Sequence, residues 1–284
     1  MQMRDAGPSE AVDALAGLFD AGPVAILTGA GVSTDSGIPD YRGAGSPPRN
    51  PMRIDQFLAD EAYRRRFWAG ARVGALRLGE VAPNAGHLAI ARLERAGLLT
   101  GVVTQNVDGL HGEAGAVNVV ELHGSGATIR CVPEGHRYAR SDVLRWFDLA
   151  NPGFAERHAA AEITPDGDAD VGGVAELDGV RVPHCPACGG VLRPDVVYFG
   201  EHVPREVFAR AEAAIASASG LLIAGSSLAV NTGMRLVHRA ERRDLAIAAV
   251  NRGPTAVDRR PSLRVRVEGG TTETLTALAE RLGV

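Results

Sequence analysis

At 284 residues and 45% apolar side chains, the chain is long enough for one large domain, or a large domain plus a small one, with a full buried core. A net charge of −4 carries no basic footprint for nucleic acid, and no apolar run approaches a membrane span, so neither is expected as a partner. Three cysteines cannot close a disulfide framework and Met1 to Glu10 lacks the apolar stretch of a signal peptide, so a soluble, cytoplasmic protein with metal-binding or structural cysteines is expected.

Val12, Leu15 and Phe19 fall at helical spacing and predict an opening amphipathic helix. Val24-Ala25-Ile26-Leu27 then reads as a buried parallel strand. It runs into Gly29-Ala30-Gly31-Val32-Ser33-Thr34, a small-residue turn expected to open a helix. Open α/β sheets bind dinucleotide phosphates at such turns, because glycine admits close backbone approach and free helix N–H groups face the anion. The turn departs from the usual fingerprint. Thr34 stands where a third Gly belongs, and no acidic residue closes a second strand about twenty residues on. Ser33, Asp40, Tyr41 and Arg42 form instead a polar cluster suited to chemistry on a dinucleotide rather than docking alone.

Ser46 to Pro51 is a Pro-rich loop, and Phe57 to Ala71 reads as a helix with Arg64-Arg65-Arg66 on its solvated face. His87 to Ala96 is a further helix ended by Gly97, and Gly101 to Thr104 and Val117 to Leu122 read as strands. From Cys131 to Cys188 periodicity weakens and Pro, Gly and Asp become frequent, with surface loop expected from Ile163 to Val180; this reads as a small inserted module. Alternation then resumes: Val191 to Phe199 extended, Pro204 to Ala216 helix, Leu221 to Ala224 strand, Met234 to Glu241 helix, Leu245 to Val250 strand, Leu263 to Val267 strand, and a closing helix marked by Leu275, Leu278 and Leu282. The fold class is α/β, with a mainly parallel sheet covered on both faces.

Four further polar turns follow predicted strands. Gln105-Asn106-Val107-Asp108 offers amides and a carboxylate for ribose and a carboxamide, or else forms a hydrogen-bonded turn capped by Asp108-Gly109. His123, in Glu121-Leu122-His123-Gly124, is a candidate general base, since an imidazole titrating near 6.5 suits proton abstraction at neutral pH. A lone His is more often structural, and His87 and His111 are read that way. Gly225-Ser226-Ser227 and Asn251-Arg252-Gly253 complete the series at one edge of the sheet.

Taken together, GAGVSTDSGIPDYRG, TQNVDGLH, ELHGS, RPDVVYFGE, GSSLAV and NRGPT resemble the sirtuins, NAD-dependent protein lysine deacylases, in order and spacing. The similarity runs from about Gly22 to Leu282, and SPPRNPM, RRRFWA and PDVVYFGE look most like the class II branch. The resemblance implies a Rossmann-like NAD-binding domain (1–125 and 190–284), a small inserted zinc-ribbon-like domain (126–189), and a helical, cofactor-loop part of the small lobe (44–80). It implies NAD as co-substrate and acylated lysine in proteins as partner. Gly29, Ala30, Gly31, Ser33, Asp40, Tyr41, Arg42, Gln105, Asn106, Val107, Asp108, Gly225, Ser226, Ser227, Asn251, Arg252, Gly253 and Thr271 would bind NAD. His123 and Asn106 would be catalytic, and Val196, Tyr198 and Phe199 would flank the acyl-lysine.

The family pattern breaks at the metal. Cys185-Pro186-Ala187-Cys188 is one ligand pair, but Cys131-Val132-Pro133 is followed by Glu134, leaving Glu134 or His136 as fourth ligand of a structural zinc, or no metal at all. Sirtuins that favour succinyl or malonyl groups carry a Tyr-x-x-Arg pair where Ala71 and Gly74 stand here, so neutral acyl groups, acetyl or longer, are expected. The alternatives are a mono-ADP-ribosyltransferase on the same site and a catalytically weak NAD-sensing module. All 30 basic residues are Arg; a GC-rich genome accounts for that, and an enzyme acting on acylated lysines gains by carrying none.

Overall fold

The computed structural model describes residues 8–40, 51–79, 81–164, 168–173 and 177–284. Among them the strands are β1 (Val24–Thr28), β2 (Leu99–Thr104), β3 (Val119–Glu121), β4 (Gly124–Cys131), β5 (Arg137–Ala139), β6 (Leu192–Val196), β7 (Gly220–Ala224), β8 (Ala246–Asn251) and β9 (Leu263–Glu268). Six of these form one sheet in the order β3-β2-β1-β7-β8-β9, every pair parallel. The remaining three form an antiparallel sheet in the order β5-β4-β6.

A parallel sheet covered on both faces needs apolar residues at every strand position, and β1 shows this directly. Val24 and Ile26 pack into one layer with the helices Pro8–Ala16, Ala85–Arg95 and Thr271–Arg281. Ala25 and Leu27 pack into the opposite layer with Arg205–Ala216 and Asn231–Glu241. A third core joins the antiparallel sheet to the helix Glu61–Leu78 through Trp68, Ile129, Phe147 and Leu192.

Several elements differ from the sequence expectation. The Gly-rich turn opens no α-helix: Ala30–Val32 and Thr34–Ser36 are two 3-10 turns, the second ended by Gly37 at φ +92°. The helix expected over 57–71 is two helices, Ile54–Ala59 and Glu61–Leu78, divided at Asp60, whose side chain caps the second by accepting from the Ala62 N–H. Arg64 is not on the solvated face: it is buried, and its guanidinium donates to the carbonyls of Phe57 and Leu58 that end the preceding helix. The insertion also contains two helices that its composition hides, Arg140–Ala150 and Phe154–Arg157. No helix among the described residues is long and apolar enough to cross a membrane.

The strand order reverses between β1 and β7, and there the two carboxyl-end turns meet backbone to backbone. Gly29 N–H donates to Ala224 O at 3.1 Å and Gly31 N–H to Gly225 O at 2.9 Å. A Cβ on Gly225, at φ +63°, would stand 2.5 Å from the Val32 nitrogen. Gly225→Ala is therefore expected to destabilise the chain by about 3 kcal/mol, measured by urea unfolding, since both its backbone region and the space exclude a methyl group.

Candidate active site

The carboxyl ends of the strands bring the predicted turns together. Ser33, on the turn after β1, is buried and donates its hydroxyl to Asp108 Oδ2 at 2.7 Å. Its oxygen accepts from Asn106 Nδ2 at 3.1 Å, and the same amide nitrogen reaches Gly29 O at 3.2 Å. Gln105 donates from Nε2 to Ser226 Oγ at 2.8 Å, joining the turns after β2 and β7. Thr271, heading the last helix, donates to Gly31 O at 2.9 Å. Asp40 is half-buried at the end of its described segment; Tyr41, Arg42 and residues 46–50 of the Pro-rich loop lie outside the described residues.

The turn after β8 is nearby but organised differently. Asn251 is buried and spends its amide on the carbonyls of Arg252 and Gly253, while Arg252 is exposed and pairs with Glu273 at 3.2 Å. Leu228, beyond Ser227, holds φ +55°, a strained conformation for a branched side chain, and its N–H donates to Ser226 Oγ. Ala30, Val107 and Ser227 lie half-buried on the same loops.

His123 directly precedes β4. Its Nδ1 lies 2.9 Å from the Gln105 carbonyl, which can only accept, so the proton sits on Nδ1 and Nε2 carries the lone pair. Burial pushes its pKa below the ordinary histidine value, partly opposed by the Gln105 hydrogen bond, so the imidazole is neutral and basic at Nε2 at physiological pH.

Behind Ser33 lies a histidine pair. The rings of His87 and His111 meet edge to face at 4.9 Å; His87 Nε2 faces Ser33 Oγ at 3.4 Å and His111 Nε2 faces Thr28 Oγ1 at 2.9 Å. Because the Ser33 proton goes to Asp108, His87 donates here. Asn84 fastens this group: it caps the helix Ala85–Arg95 and donates to Val32 O and Ser36 Oγ. Sequence reasoning missed Asn84, although an Asn just before an apolar-periodic helix is the cap signal. Glu121, half-buried, has its pKa raised by burial and then by the nearby Asp108 charge.

At the far end of β4, Cys131, His136, Cys185 and Cys188 place their ligand atoms within 4.8 Å of one another. Cys131 N–H donates to His136 O at 2.8 Å, so residue 136 lies opposite 131 in the hairpin and on its face, while Gly135 closes the turn. Glu134 is at the exposed tip and outside the cluster. The three cysteines are free thiols. Three thiolates and an imidazole are a zinc donor set, so these residues fit a structural zinc. The residues expected beside the substrate lie at the end of β6: Val196 ends the strand, Tyr198 is buried, and Phe199 is 42% exposed.

The profile of the Sir2 family matches residues 29–232. The chain belongs to the Sir2 family. Among relatives of this Sir2 chain, the NAD-dependent protein deacetylase 1 of Mycobacterium avium is 49% identical over 262 residues, spanning 91% of each chain. The NAD-dependent protein deacetylase 1 of Streptomyces coelicolor is 46% identical over 266 residues, 93% of this chain and 87% of the relative. A solved Sir2 complex with a p53 peptide and NAD+ superposes at a TM-score of 0.74 and 29% identity, over 95% of this chain and 98% of that one.

Two outcomes are expected for this Sir2 chain. His111, lowered to about 3 by burial and then by His87, and His87, lowered by burial against Asp108, stay neutral in the fold but charge in the unfolded chain below about 6.5. The unfolded state then binds more protons, so stability is present above that value and is lost as pH falls from it toward 3; urea midpoints from pH 7 to 5 should fall less steeply for His111→Gln. Protein purified without chelator should carry one zinc per chain by elemental analysis, lost in His136→Ala and kept in Glu134→Ala.

Proposed function

We propose that this chain is an NAD-dependent protein lysine deacylase that removes neutral acyl groups, with His123 as general base. The geometry at His123 carries this reading: Nδ1–H is committed to the Gln105 carbonyl, and Nε2 has no partner among the described residues. It stands at the sheet edge where Ser33, Asn106 and Asp108 form one network. The names of the bacterial relatives and the NAD+ and peptide of the solved complex support the same reading.

In the reaction, NAD is consumed as a substrate. The acyl oxygen attacks the ribose C1′ as nicotinamide leaves; His123 Nε2 then takes the proton of a ribose hydroxyl as its oxygen bonds to the acyl carbon. Hydrolysis releases free lysine and O-acyl-ADP-ribose. The chain's own groups orient and hold. Asp108 accepts from the carboxamide N–H while Ser33 and the Leu110 N–H fix its carboxylate. Gln105 holds the ribose, Asn106 serves the nicotinamide pocket with Asp108, and Gly29, Ala30, Gly31, Asp40, Tyr41, Arg42, Val107, Gly225, Ser226, Ser227, Asn251, Arg252, Gly253 and Thr271 complete the NAD pocket. Val196, Tyr198 and Phe199 flank the acyl-lysine, whose peptide adds to the chain by strand pairing. Zinc on Cys131, Cys185, Cys188 and His136 is structural.

The neutral acyl preference rests on Ala71 and Gly74, both buried and neither able to pair with a distal carboxylate. The division into 1–125 with 190–284, 126–189 and 44–80, the class II placement and a cytoplasmic location belong to the same reading.

Mass spectrometry of products from NAD and a panel of acyl-lysine peptides tests it. Acetyl- and longer neutral acyl-peptides should yield O-acyl-ADP-ribose faster than succinyl-peptide; transfer of ADP-ribose to protein instead would favour the transferase. His123→Ala should lower kcat by about 10²–10⁴-fold. The active form is the neutral imidazole, so kcat/KM should hold down to a pH below about 6.5 and fall as pH drops through the lowered His123 value.

A further inference from the structure

After β6 the chain passes through Val197-Tyr198-Phe199-Gly200-Glu201 without regular secondary structure, yet its path is held by one buried cation. Arg193, on β6, is 3% exposed. It donates to both oxygens of Glu201, at 2.7 and 2.5 Å, to Val196 O at 2.6 Å and to Pro194 O at 3.2 Å. Glu201 Oε2 also accepts the Tyr198 N–H at 2.9 Å, and the Arg193 guanidinium lies 4.8 Å from the centre of the Tyr198 ring. The clamp closes residues 193–201 onto themselves and leaves the Phe199 carbonyl to take the Ile54 N–H at 3.0 Å.

A buried ion pair is weak evidence for stability, because desolvating both charges offsets most of their attraction. Its value lies in fixing one arrangement. Here the arrangement fixed is a tight turn, Glu201 N–H to Tyr198 O at 3.0 Å with Gly200 at φ +94°, that carries a 42% exposed aromatic side chain at its tip. We infer that Arg193 and Glu201 are positioning residues for the acyl-peptide, holding 196–199 in the path that an incoming strand pairs with. This rests on the reading above that Val196, Tyr198 and Phe199 flank the acyl-lysine. Without the clamp the segment is competent for only part of the time, and apparent peptide affinity falls by that fraction while chemistry in the bound complex is unchanged.

The test is steady-state kinetics on the full chain, with an acetyl-lysine peptide varied at saturating NAD, for Glu201→Gln, Arg193→Lys, the double variant and Phe199→Ala, with melting temperatures alongside. Glu201→Gln is isosteric and keeps an acceptor for the Tyr198 N–H, so it carries the test if Arg193→Lys does not fold. Expected is a rise of about tenfold in peptide KM, kcat within about twofold, an unchanged KM for NAD, and a double variant no worse than the singles. An unchanged peptide KM in Glu201→Gln, with a raised one in Phe199→Ala, would overturn the clamp and leave the substrate-strand reading standing. An unchanged peptide KM in both would overturn that reading and the clamp with it. A lowered melting temperature and loss of kcat in proportion to the folded fraction, at constant peptide KM, would reduce the pair to a structural one.

Discussion

Everything at the site depends on how closely the turn after β1 approaches the turn after β7. The order β3-β2-β1-β7-β8-β9 makes these two strands neighbours at the point where the connections change direction, and α/β folds place ligands at the carboxyl ends of the strands at such a point. Gly29, Gly31 and Gly225 let the two backbones hydrogen-bond directly, with no side chain between them. The carbonyls of Thr28, Gly29 and Gly31 then become the fixed points to which Gln105, Asn106 and Thr271 attach. Polar side chains held by main chain rather than by solvent keep their orientation when a ligand displaces water, which is what a site that breaks a glycosidic bond requires.

Electrostatically the site holds three neutral histidines in different settings. His111 and His87 are buried against each other and remain neutral, one of them serving Ser33 as a donor. His123 is also neutral, but its Nδ1 alone is occupied, so the second nitrogen is available for proton transfer. The same residue type thus has two roles, set by which nitrogen finds a partner.

The antiparallel sheet links the metal cluster to His123 through a single strand. β4 begins at Gly124, next to His123, and ends at Cys131, a member of the cluster. β6 pairs with it along that length, and Val197 N–H donates to His123 O at 2.8 Å. A zinc that closes the knuckle at one end would therefore anchor a strand pair whose other end carries His123 and Val196, the proposed base and the start of the proposed substrate segment. That is a physical reason for a structural metal to matter to catalysis without touching a reacting atom.

Much of this was legible in the residues. Apolar runs such as Leu221 to Ala224 marked the buried strands, small polar turns after them marked the edge that binds ligand, and the ordered motifs identified the family. Local pattern carries that information because strands buried on both faces and glycine turns each demand particular residue types within a few positions. What composition could not reveal came from contacts distant in sequence. The choice of His136 over Glu134 followed from hairpin pairing, the inward turn of Arg64 from unsatisfied carbonyls of a neighbouring helix, and the tautomer of His123 from a carbonyl eighteen residues earlier. Arg193 and Glu201 were only letters in a motif until folding buried one beside the other. Hydrogen bonds between remote groups leave no periodic trace in a single chain, so only the tertiary structure could assign them.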